Sequence, residues 1–421
     1  MVHIVGCGPT GMSLAWELRK KDIPVTVYER KPSAGGSWWE PDLKRRDIHA
    51  HRIVFDRAWV NTKSLFHEMG MDWDTLFEKH QDQVFGYILK KFQFKDYLAL
   101  LTLPFVASLD RTVKDVLHGR MSPDGEAIME HLPLIIDGVT WDVMSSYELL
   151  ASVNHVGLSG QWTQRVSGKI MCDQMYDALQ KVGVKFKFNT SLDELIFLPE
   201  DDTYVAKFSD GTRLKDDLLV LCVDNSPAIR LMGKNWGDDA VQRVHDTTYG
   251  AINVLIDFRE APTLPDDLQV AVETRWKLQP RVLSDGKTVS CVICHLTEEI
   301  LTTPPDVLKK EVLKQLNVTL PQESSVRIGW GATWDGARWQ FSQSSGVFGG
   351  NVPFFGQCSR VALCGMMSDR STPYASLEAA IEVGRRFASL YFGTSAPIES
   401  FKLSNLIFII IVFIILLNSM R

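Results

Sequence analysis

The segment that decides the fold is residues 2–29, which read VHIVGCGPTGMSLAWELRKKDIPVTVYE. Val2–Val5 predicts a short buried strand, and residues 12–21 carry apolar side chains at a helical spacing. Val25–Tyr28 predicts a second strand. A glycine-rich turn joins the first strand to the helix, so the segment has the order of a β-α-β unit that binds a dinucleotide. We therefore expect an α/β fold.

Each glycine of the turn has a separate task. Gly6 permits the tight turn, Gly8 lets the backbone approach a pyrophosphate, and Gly11 allows the helix to pack closely on the strand. Pro9 and Thr10 lie between these glycines and are predicted to contact the cofactor as well. The N-terminus of the helix that follows offers free N–H groups and the positive end of the helix dipole to phosphates.

Glu29 ends the predicted second strand, 18 residues after Gly11. A carboxylate there accepts hydrogen bonds from a ribose 2′-OH, which disfavours a cofactor phosphorylated at that oxygen. Because strand, helix, second strand and acidic residue all occur at the expected spacing, we interpret the glycines as a cofactor site rather than as turn residues alone. The sequence has no second Gly-x-Gly-x-x-Gly unit, so we expect no dedicated NAD(P)H domain.

Composition limits the class of protein. The chain has 421 residues with 45 Lys and Arg against 51 Asp and Glu, a formal net charge of −6. Its 45% hydrophobic and 23% charged residues are typical of a globular protein, and at roughly 150 residues each the length allows two or three domains. The mild acidity argues against a nucleic-acid partner. Seven cysteines, an odd number, indicate no disulfide scaffold and favour a reducing compartment.

The C-terminal stretch is unusually apolar, since Leu406–Leu417 contains no polar residue. Twelve to fifteen helical residues span about 18–23 Å, less than the ~30 Å of a hydrocarbon core. Snorkelling of Lys402 and Arg421 is able to absorb such a mismatch. Because the run has no polar face, we expect a single-pass membrane anchor over residues 403–418 with the body in the cytosol. A buried C-terminal helix is the alternative, and no secretory leader is expected at the N-terminus.

Beyond the second strand, Arg30 and Lys31 lead to the sequence GGSWW, residues 35–39. This double glycine resembles the extended fingerprint of FAD-dependent oxidoreductases of the flavin amine oxidase and phytoene desaturase superfamily. In that superfamily the double glycine passes close to the phosphates and ribityl chain of the flavin. The resemblance implies FAD as the cofactor and implies contacts to it from Arg30, Gly35, Gly36 and Ser37. Amine oxidases usually have Arg at the position of Ser37.

Later segments resemble the same superfamily. Leu192–Leu198 and the buried strand at 217–222 are similar to the region where the chain returns to the FAD domain. The strand-like run 360–365 closes on a glycine, and a helix opens at Ser376; this resembles the last FAD motif, in which a helix N-terminus points at the flavin ring. The resemblance implies further FAD contacts from Leu192, Gly365, Ser376 and Leu377. Where the family usually has an acidic residue, two positions after Gly365, this chain has Met367.

The resemblance predicts a domain division. We expect a Rossmann-like, glutathione-reductase-like two-domain flavoprotein whose FAD-binding domain is discontinuous, with a mixed α+β substrate lobe and a C-terminal transmembrane helix. The predicted segments are 1–80, 165–245 and 355–392 for the FAD-binding domain, 81–164 and 246–354 for the substrate lobe, 393–402 for a linker and 403–418 for the anchor.

Two stretches of the sequence offer candidate catalytic residues. Amine oxidases usually carry a lysine that holds a water near the flavin, but the matching stretch Tyr249–Phe258 has none. Asn253 is its nearest polar residue and is one candidate; Lys277 is a conceivable substitute, although a solvated lysine is the simpler interpretation. His49 and His51 share one face of a strand, so His51 is a second candidate for acid–base work. A structural histidine is its alternative.

The spacing of Cys291 and Cys294 is that of a metal or redox pair. The two side chains would face opposite sides of a strand and no second pair follows, so we expect no metal site.

These features predict a membrane-anchored FAD-dependent oxidoreductase that takes a hydride from a C–H bond of a small, apolar, isoprenoid-like substrate. One alternative is a flavin-dependent amine oxidase facing the cytosol. Another is a degenerate flavoprotein with a structural or binding role at a membrane, which Ser37, Met367 and the missing lysine motivate.

Overall fold

The computed structural model describes residues 1–38, 53–79, 84–265, 267–283, 285–317, 325–329, 331–341, 346–347 and 351–405. The strands in chain order are β1 Val2–Val5, β2 Val25–Tyr28, β3 Ile53–Phe55, β4 Phe77–Lys79, β5 Gln161–Gln164, β6 Lys185–Lys187, β7 Leu192–Leu198, β8 Thr203–Phe208, β9 Arg213–Leu214, β10 Leu218–Leu221, β11 Thr248–Tyr249, β12 Ile252–Asp257, β13 Gln279–Val282, β14 Thr288–Ile293, β15 Ser325–Ile328, β16 Ala332–Trp334, β17 Trp339–Phe341, β18 Gly346–Val347 and β19 Val361–Leu363. The helices are α1 Pro9–Arg19, α2 Val60–Glu68, α3 Trp73–Leu76, α4 Val84–Lys91, α5 Phe94–Val106, α6 Val113–Leu117, α7 Pro123–Asp137, α8 Ser146–Val156, α9 Gly168–Lys181, α10 Asn225–Trp236, α11 Asp238–Asp246, α12 Asp267–Glu273, α13 Glu298–Leu301, α14 Pro305–Gln315 and α15 Leu377–Phe392.

A five-stranded parallel sheet in the order β19-β10-β1-β2-β6 organises one half of the molecule. Every residue of β1 and β2 is buried, as expected for a parallel sheet covered on both faces. Helices α1, α9 and α15 pack on one face. The antiparallel β7-β8-β9 sheet and α10 pack on the other. The predicted Rossmann-like α/β fold is confirmed.

The five parallel strands all fall within the three segments predicted for the FAD-binding domain, 1–80, 165–245 and 355–392. The chain therefore leaves this sheet twice and returns to it. The predicted domain boundaries themselves stay a prediction.

A four-stranded antiparallel sheet in the order β13-β14-β12-β15 organises the other half. Alternation along β12 sends Ile252, Val254 and Ile256 into a core that includes residues of α12 and α14. The opposite face of β13 and β14 is turned toward the parallel sheet through a cavity described below. Helices α5 to α8 form a separate helical core beside it.

The predicted membrane anchor is corrected by the structure. Residues after α15 run back along the body, where the Asn61 side chain accepts a hydrogen bond from Ile398 N (2.8 Å) and donates one to Ile398 O (3.0 Å). Ser404 N donates to Asn154 Oδ1 at 2.7 Å. Within the part of the chain that the structure describes, no helix combines the length and apolar character needed to cross a bilayer. This finding contradicts the predicted membrane localisation. Residues 406–418 of the predicted transmembrane helix lie outside the described residues.

Candidate active site

Glycines bring three backbone segments into direct contact beyond β1. Gly6 has a φ of +106°, and a Cβ built on it would lie 2.1 Å from Cys222 O. A Cβ on Gly11 would lie 2.1 Å from Gly6 O. Gly36, with a φ of +57°, sits so close to Gly8 that its Cβ would lie 2.8 Å from Gly8 Cα. The resulting floor is made of backbone, which is what a diphosphate needs in order to approach peptide N–H groups.

The N-terminus of α1 opens onto this floor. Its N-cap is Gly8, whose lack of a side chain leaves the first-turn N–H groups without a side-chain cap, and the first turn contains no acidic residue. Pro9 and Thr10 line the adjoining cavity. The helix end therefore offers positive dipole and free donors to an anion.

Glu29 is buried at the side of the same floor. Its Oε2 accepts a hydrogen bond from Cys7 N at 2.8 Å, and its Oε1 accepts one from Lys31 N at 2.9 Å. Because each carboxylate oxygen accepts more than one bond, the group is fixed in place and keeps acceptor capacity toward the cavity that it lines. This is the arrangement expected of a ribose-binding carboxylate.

A cavity of 1030 Å³ begins at this floor and continues into the second half of the molecule. All but two of the sequence-predicted cofactor residues line it: Gly6, Gly8, Pro9, Thr10, Glu29, Arg30, Gly36, Ser37, Leu192, Gly365, Ser376 and Leu377. Gly11 instead packs α1 on the turn at Gly6, and Gly35 donates its N–H to Cys7 O at 2.8 Å. That these residues contact a cofactor remains a proposal.

The N-terminus of α15 forms the far wall of the cofactor end. Ser376 is its N-cap, with Oγ accepting from Ala379 N at 3.1 Å. Glu378 lies in the first turn, but its carboxylate points away and accepts hydrogen bonds from the backbone N–H groups of Asn61 and Thr62 at the start of α2. The carboxylate of Glu378 therefore does not lie on the cavity side of the α15 N-terminus.

The remainder of the cavity is an apolar chamber among helices of the second half. Its apolar lining comes from α4, α5, α7, α8 and the α4–α5 link: Ile88, Phe92, Leu100, Leu103, Met129, Leu132, Leu134, Ile135, Ile136, Leu149, Leu150 and Val153. Such a surface binds apolar groups by excluding water.

Asp137 places a carboxyl group where the two halves of the cavity meet. It is the last residue of α7, which begins behind the N-cap Ser122 and ends at Gly138 in the left-handed conformation (φ 74°). Asp137 Oδ1 accepts hydrogen bonds from Tyr249 Oη at 3.1 Å and Ala375 N at 3.3 Å. Burial raises the pKa of this carboxyl to about 7, against the opposing effect of the positive charge on Arg370.

Tyr374 lines the same junction and is held from two sides. Its hydroxyl oxygen accepts a hydrogen bond from Trp59 Nε1 at 3.3 Å and lies 3.1 Å from His155 Nδ1. Burial lowers the pKa of His155 to about 4, so this imidazole is neutral at physiological pH. Tyr374, three residues before α15, is thereby fixed in the wall of the cavity.

A family model matches the start of the sequence, and solved structures match the fold. A family model described as an NAD(P)-binding Rossmann-like domain matches residues 4–58. No curated protein matches the chain in sequence. Among solved structures, an oxidoreductase from Methanosarcina mazei is 14% identical, with 91% of this chain and 98% of that chain covered and a TM-score of 0.62. The PF1083 protein from Pyrococcus furiosus is 12% identical, with 94% and 98% covered and a TM-score of 0.64.

Putrescine oxidase, in its wild-type form bound to putrescine, is 14% identical, with 93% of this chain and 98% of that chain covered and a TM-score of 0.61. The chain has their fold. The resemblance predicted from the sequence is therefore confirmed at the level of the fold.

Of the sequence-predicted catalytic candidates, Asn253 and Lys277 do not line the cavity. Asn253 is fully buried in the antiparallel sheet, where its Oδ1 accepts a hydrogen bond from Ser290 Oγ at 3.0 Å. Lys277 forms an ion pair with Glu130, Nζ to Oε1 at 2.7 Å, and neither residue lines the cavity. His49 and His51 lie outside the described residues. Among the described residues that line the cavity the only lysine is Lys31, which donates to Gly36 O at 2.8 Å.

The cysteine pair behaves as the alternation of a strand requires. Cys291 is buried in the core on one face of β14, whereas Cys294 packs against Ala251 and Val292 and lines the cavity. No group of three His, Cys, Asp or Glu side chains suited to a metal ion occurs among the residues that the structure describes.

Sequence reasoning missed Asp137, Tyr249, Gln279 and Tyr374. Asp137 and Gly138 together form a recognisable helix C-terminus, and Tyr249 opens the stretch compared with the amine oxidase lysine strand. Neither feature indicates that residues 137, 249 and 375 meet, because only the tertiary fold brings them together.

Proposed function

We propose that the chain is an FAD-dependent oxidoreductase that oxidises a small apolar molecule, isoprenoid-like in character, held in the chamber between α4 and α8. The observation that carries this proposal is the continuity of one cavity from the glycine floor at β1 to the apolar chamber. A redox cofactor at one end and a substrate at the other would meet at the junction formed by Asp137, Tyr374 and the start of α15.

The described residues fit FAD. The diphosphate would lie on the floor formed by Gly8 and Gly36 at the N-terminus of α1, and Glu29 would accept hydrogen bonds from the adenosine ribose. The flavin end would adjoin Gly365 and the N-terminus of α15. When bound, FAD supplies the two-electron chemistry of accepting a hydride from carbon.

The protein contributes binding, exclusion of water and control of a proton. The apolar lining of the chamber orients the substrate and keeps water from the reacting carbon. Asp137 Oδ1, held by Tyr249 and the Ala375 amide, is a carboxyl oxygen able to accept or release a proton near neutral pH.

A flavin-dependent amine oxidase is the second candidate. The observation that favours it is the Asp137 carboxyl group on the cavity wall, which in its ionised form would pair with a substrate ammonium group. Against it stands the position of Lys31, the one cavity lysine among the described residues, at the cofactor floor rather than in the strand where amine oxidases carry theirs.

The absorbance spectrum of the purified full-length protein tests the proposal. We expect the two visible bands of oxidised flavin at one flavin per chain, released by acid precipitation if the cofactor is not covalently attached. Anaerobic addition of prenyl alcohols should then bleach the flavin. Bleaching by putrescine but not by prenyl alcohols would favour the amine oxidase, whereas a colourless protein, or a flavin that no donor reduces, would contradict the enzyme and favour a binding role.

A further inference from the structure

Gln279 is a buried polar residue on the wall of the cavity. Its side chain is 5% exposed and lines the cavity from β13. Nε2 has no hydrogen-bond partner among the described residues. Ser152 of α8 is similar, since it is 2% exposed, lines the same cavity, and has an Oγ without a partner in the described part of the chain. Buried donors are rarely left unpaired, so a cavity with two such groups is built for a ligand that carries polar atoms.

The sheet register brings Gln279 near the Asp137 corner. Gln279 is the direct cross-strand partner of Val292 on β14, and Cys294, the residue just after β14, lies next on the same face. Cys294 Sγ would lie 3.3 Å from a Cβ built on Gly138, and the Tyr249 ring would lie 2.7 Å from it. Successive residues on one face of a strand are about 7 Å apart. Gln279 therefore lies beside Val292, and Val292 is about 7 Å along the cavity wall from Cys294, which lies beside Gly138.

The hydrogen-bonding groups at this corner favour a neutral oxygen function over a cation. Arg370 is partly buried and interacts electrostatically with Asp137, Glu148 and Glu382. The other titratable groups that act on or respond to Asp137 are Tyr249 of β11, Cys294 after β14 and Tyr374 before α15. A substrate ammonium group would bring no acceptor for the amide of Gln279, whereas a hydroxyl or carbonyl oxygen accepts from it.

We propose that Gln279 and Asp137 form a subsite that hydrogen-bonds a neutral oxygen function, a hydroxyl or carbonyl group, on an otherwise apolar substrate. Gln279 Nε2 donates to the oxygen, and Asp137 provides the acceptor for a hydroxyl proton. The inference rests on the proposed function in taking this cavity as the substrate site, and it names the class of substrate. It places the oxygen at the junction and the hydrocarbon part in the chamber.

Three ligands of matched shape test the subsite on the full-length protein as purified: cyclooctanol, cyclooctylamine and cyclooctane. Affinity is measured by the shift of the thermal unfolding midpoint and, where flavin is present, by the change in its visible spectrum. We expect cyclooctanol to bind roughly three- to tenfold more tightly than the other two at pH 7, the worth of one hydrogen bond. Equal or tighter binding of cyclooctylamine would overturn the proposal.

The variant Gln279→Leu removes the donor and nearly preserves the volume. We expect its affinity for cyclooctanol to fall roughly three- to tenfold, with cyclooctane unaffected. Its unfolding midpoint should stay the same or rise, because an unpaired buried amide is removed; a merely structural role for Gln279 would lower it. Gln269→Leu is the control, since Gln269 bonds Glu273 on the surface of α12. If Gln279→Leu does not fold, Gln279→Met tests the same loss of the donor.

The outcomes separate the two proposals. A colourless protein that still prefers cyclooctanol contradicts the flavoenzyme and supports the subsite, because thermal shifts need no flavin. A yellow protein whose Gln279→Leu variant binds cyclooctanol as tightly as the parent supports the flavoenzyme and contradicts the subsite.

Discussion

The two ends of the cavity are built in different ways. At the cofactor end, backbone atoms form the surface, Gly6, Gly8 and Gly36 keep side chains out of it, and Gly11 packs α1 on the turn behind it. At the substrate end, side chains from α4 to α8 and from β13 form the surface. The first is fixed by contacts that tolerate no added atom, whereas the second depends on side-chain chemistry that substitution can alter while the fold persists. Substitutions at the two ends should therefore have different kinds of effect.

The largest effect is expected at Gly11. In Gly11→Ala the new Cβ would lie 2.1 Å from Gly6 O and 3.3 Å from the Ile4 side chain, so α1 must move off β1. We expect a loss of more than about 4 kcal/mol in the free energy of unfolding, the exceptional range for one substitution, together with loss of bound flavin. Urea unfolding and flavin content measure both.

Gly86→Ala in α4 is the matched helical control. A Cβ there meets nothing within 4 Å, so this variant should gain about 0.5–1 kcal/mol from the helix preference for Ala. If Gly11→Ala were as stable as Gly86→Ala, the close packing at the cofactor end would not be what holds it together.

At the substrate end, Asp137→Asn should stabilise the protein in alkaline solution. Folding raises the pKa of Asp137 from 3.8 to about 7, so the folded state holds a proton that the unfolded state has lost, and stability falls as pH rises from about 4 to 7. Asn mimics the protonated form. The variant should be more stable than the parent by on the order of 4 kcal/mol at pH 8, with the difference shrinking toward pH 4.

Unfolding curves at pH 5 and pH 8 measure this difference. Asp142→Asn provides the opposite case, because the hydrogen bond from Thr140 lowers the pKa of Asp142, and its loss should destabilise the protein at pH 8. An Asp137→Asn variant that is no more stable than the parent at pH 8 would show that the junction carboxyl is ionised at little cost.

Glu29→Gln tests side-chain recognition within the cofactor end. The substitution replaces one of two acceptor oxygens by an NH₂ group that would face the N–H of Cys7 or Lys31. We expect flavin to bind about tenfold more weakly, in the range of a charge-assisted hydrogen bond. Equilibrium dialysis of flavin measures the change, with the exposed Glu194→Gln as a control. Unchanged flavin affinity would remove Glu29 from the proposed ribose site.

The smallest effect is expected for Lys277→Met. Its ion pair with the half-exposed Glu130 lies outside the cavity, and such pairs contribute about 0–1 kcal/mol. Stability should change by no more than that, flavin reduction should be unchanged, and Glu130→Gln should behave alike. A tenfold slower flavin reduction in Lys277→Met alone would mean that this lysine acts in the chemistry after all.

The two ends of the cavity also differ in how well the sequence predicts them. The β-α-β unit and the glycine floor could be predicted because their residues lie together in positions 2–36 and the contacts of Gly11 with Gly6 and of Gly36 with Gly8 fall within that stretch. The residues at the junction could not, because residues 137, 249 and 375 come from distant parts of the chain.

Two of the predictions rested on sequence patterns that carry no information on tertiary contacts. Asn253 does lie on the predicted strand, with Val292 as its cross-strand partner. The hydroxyl of Ser290 donates a hydrogen bond to its side chain. The alternation of residues along one strand does not reveal such a bond to a neighbouring strand. The membrane anchor was inferred from apolar composition, which carries no information on where the preceding residues dock; these return to Asn61 and Asn154 on the body.

The link between Asn61, Glu378 and Ile398 has a consequence for biosynthesis. The Glu378 carboxylate accepts hydrogen bonds from the backbone at the start of α2, and the Asn61 side chain in α2 is bonded to the backbone of Ile398. The edge strand β19 at 361–363 also completes the parallel sheet late in the chain. A nascent polypeptide lacks these partners until residue 398 has been synthesised, so the dinucleotide half cannot reach its native state before then, and its apolar strands need protection in the meantime.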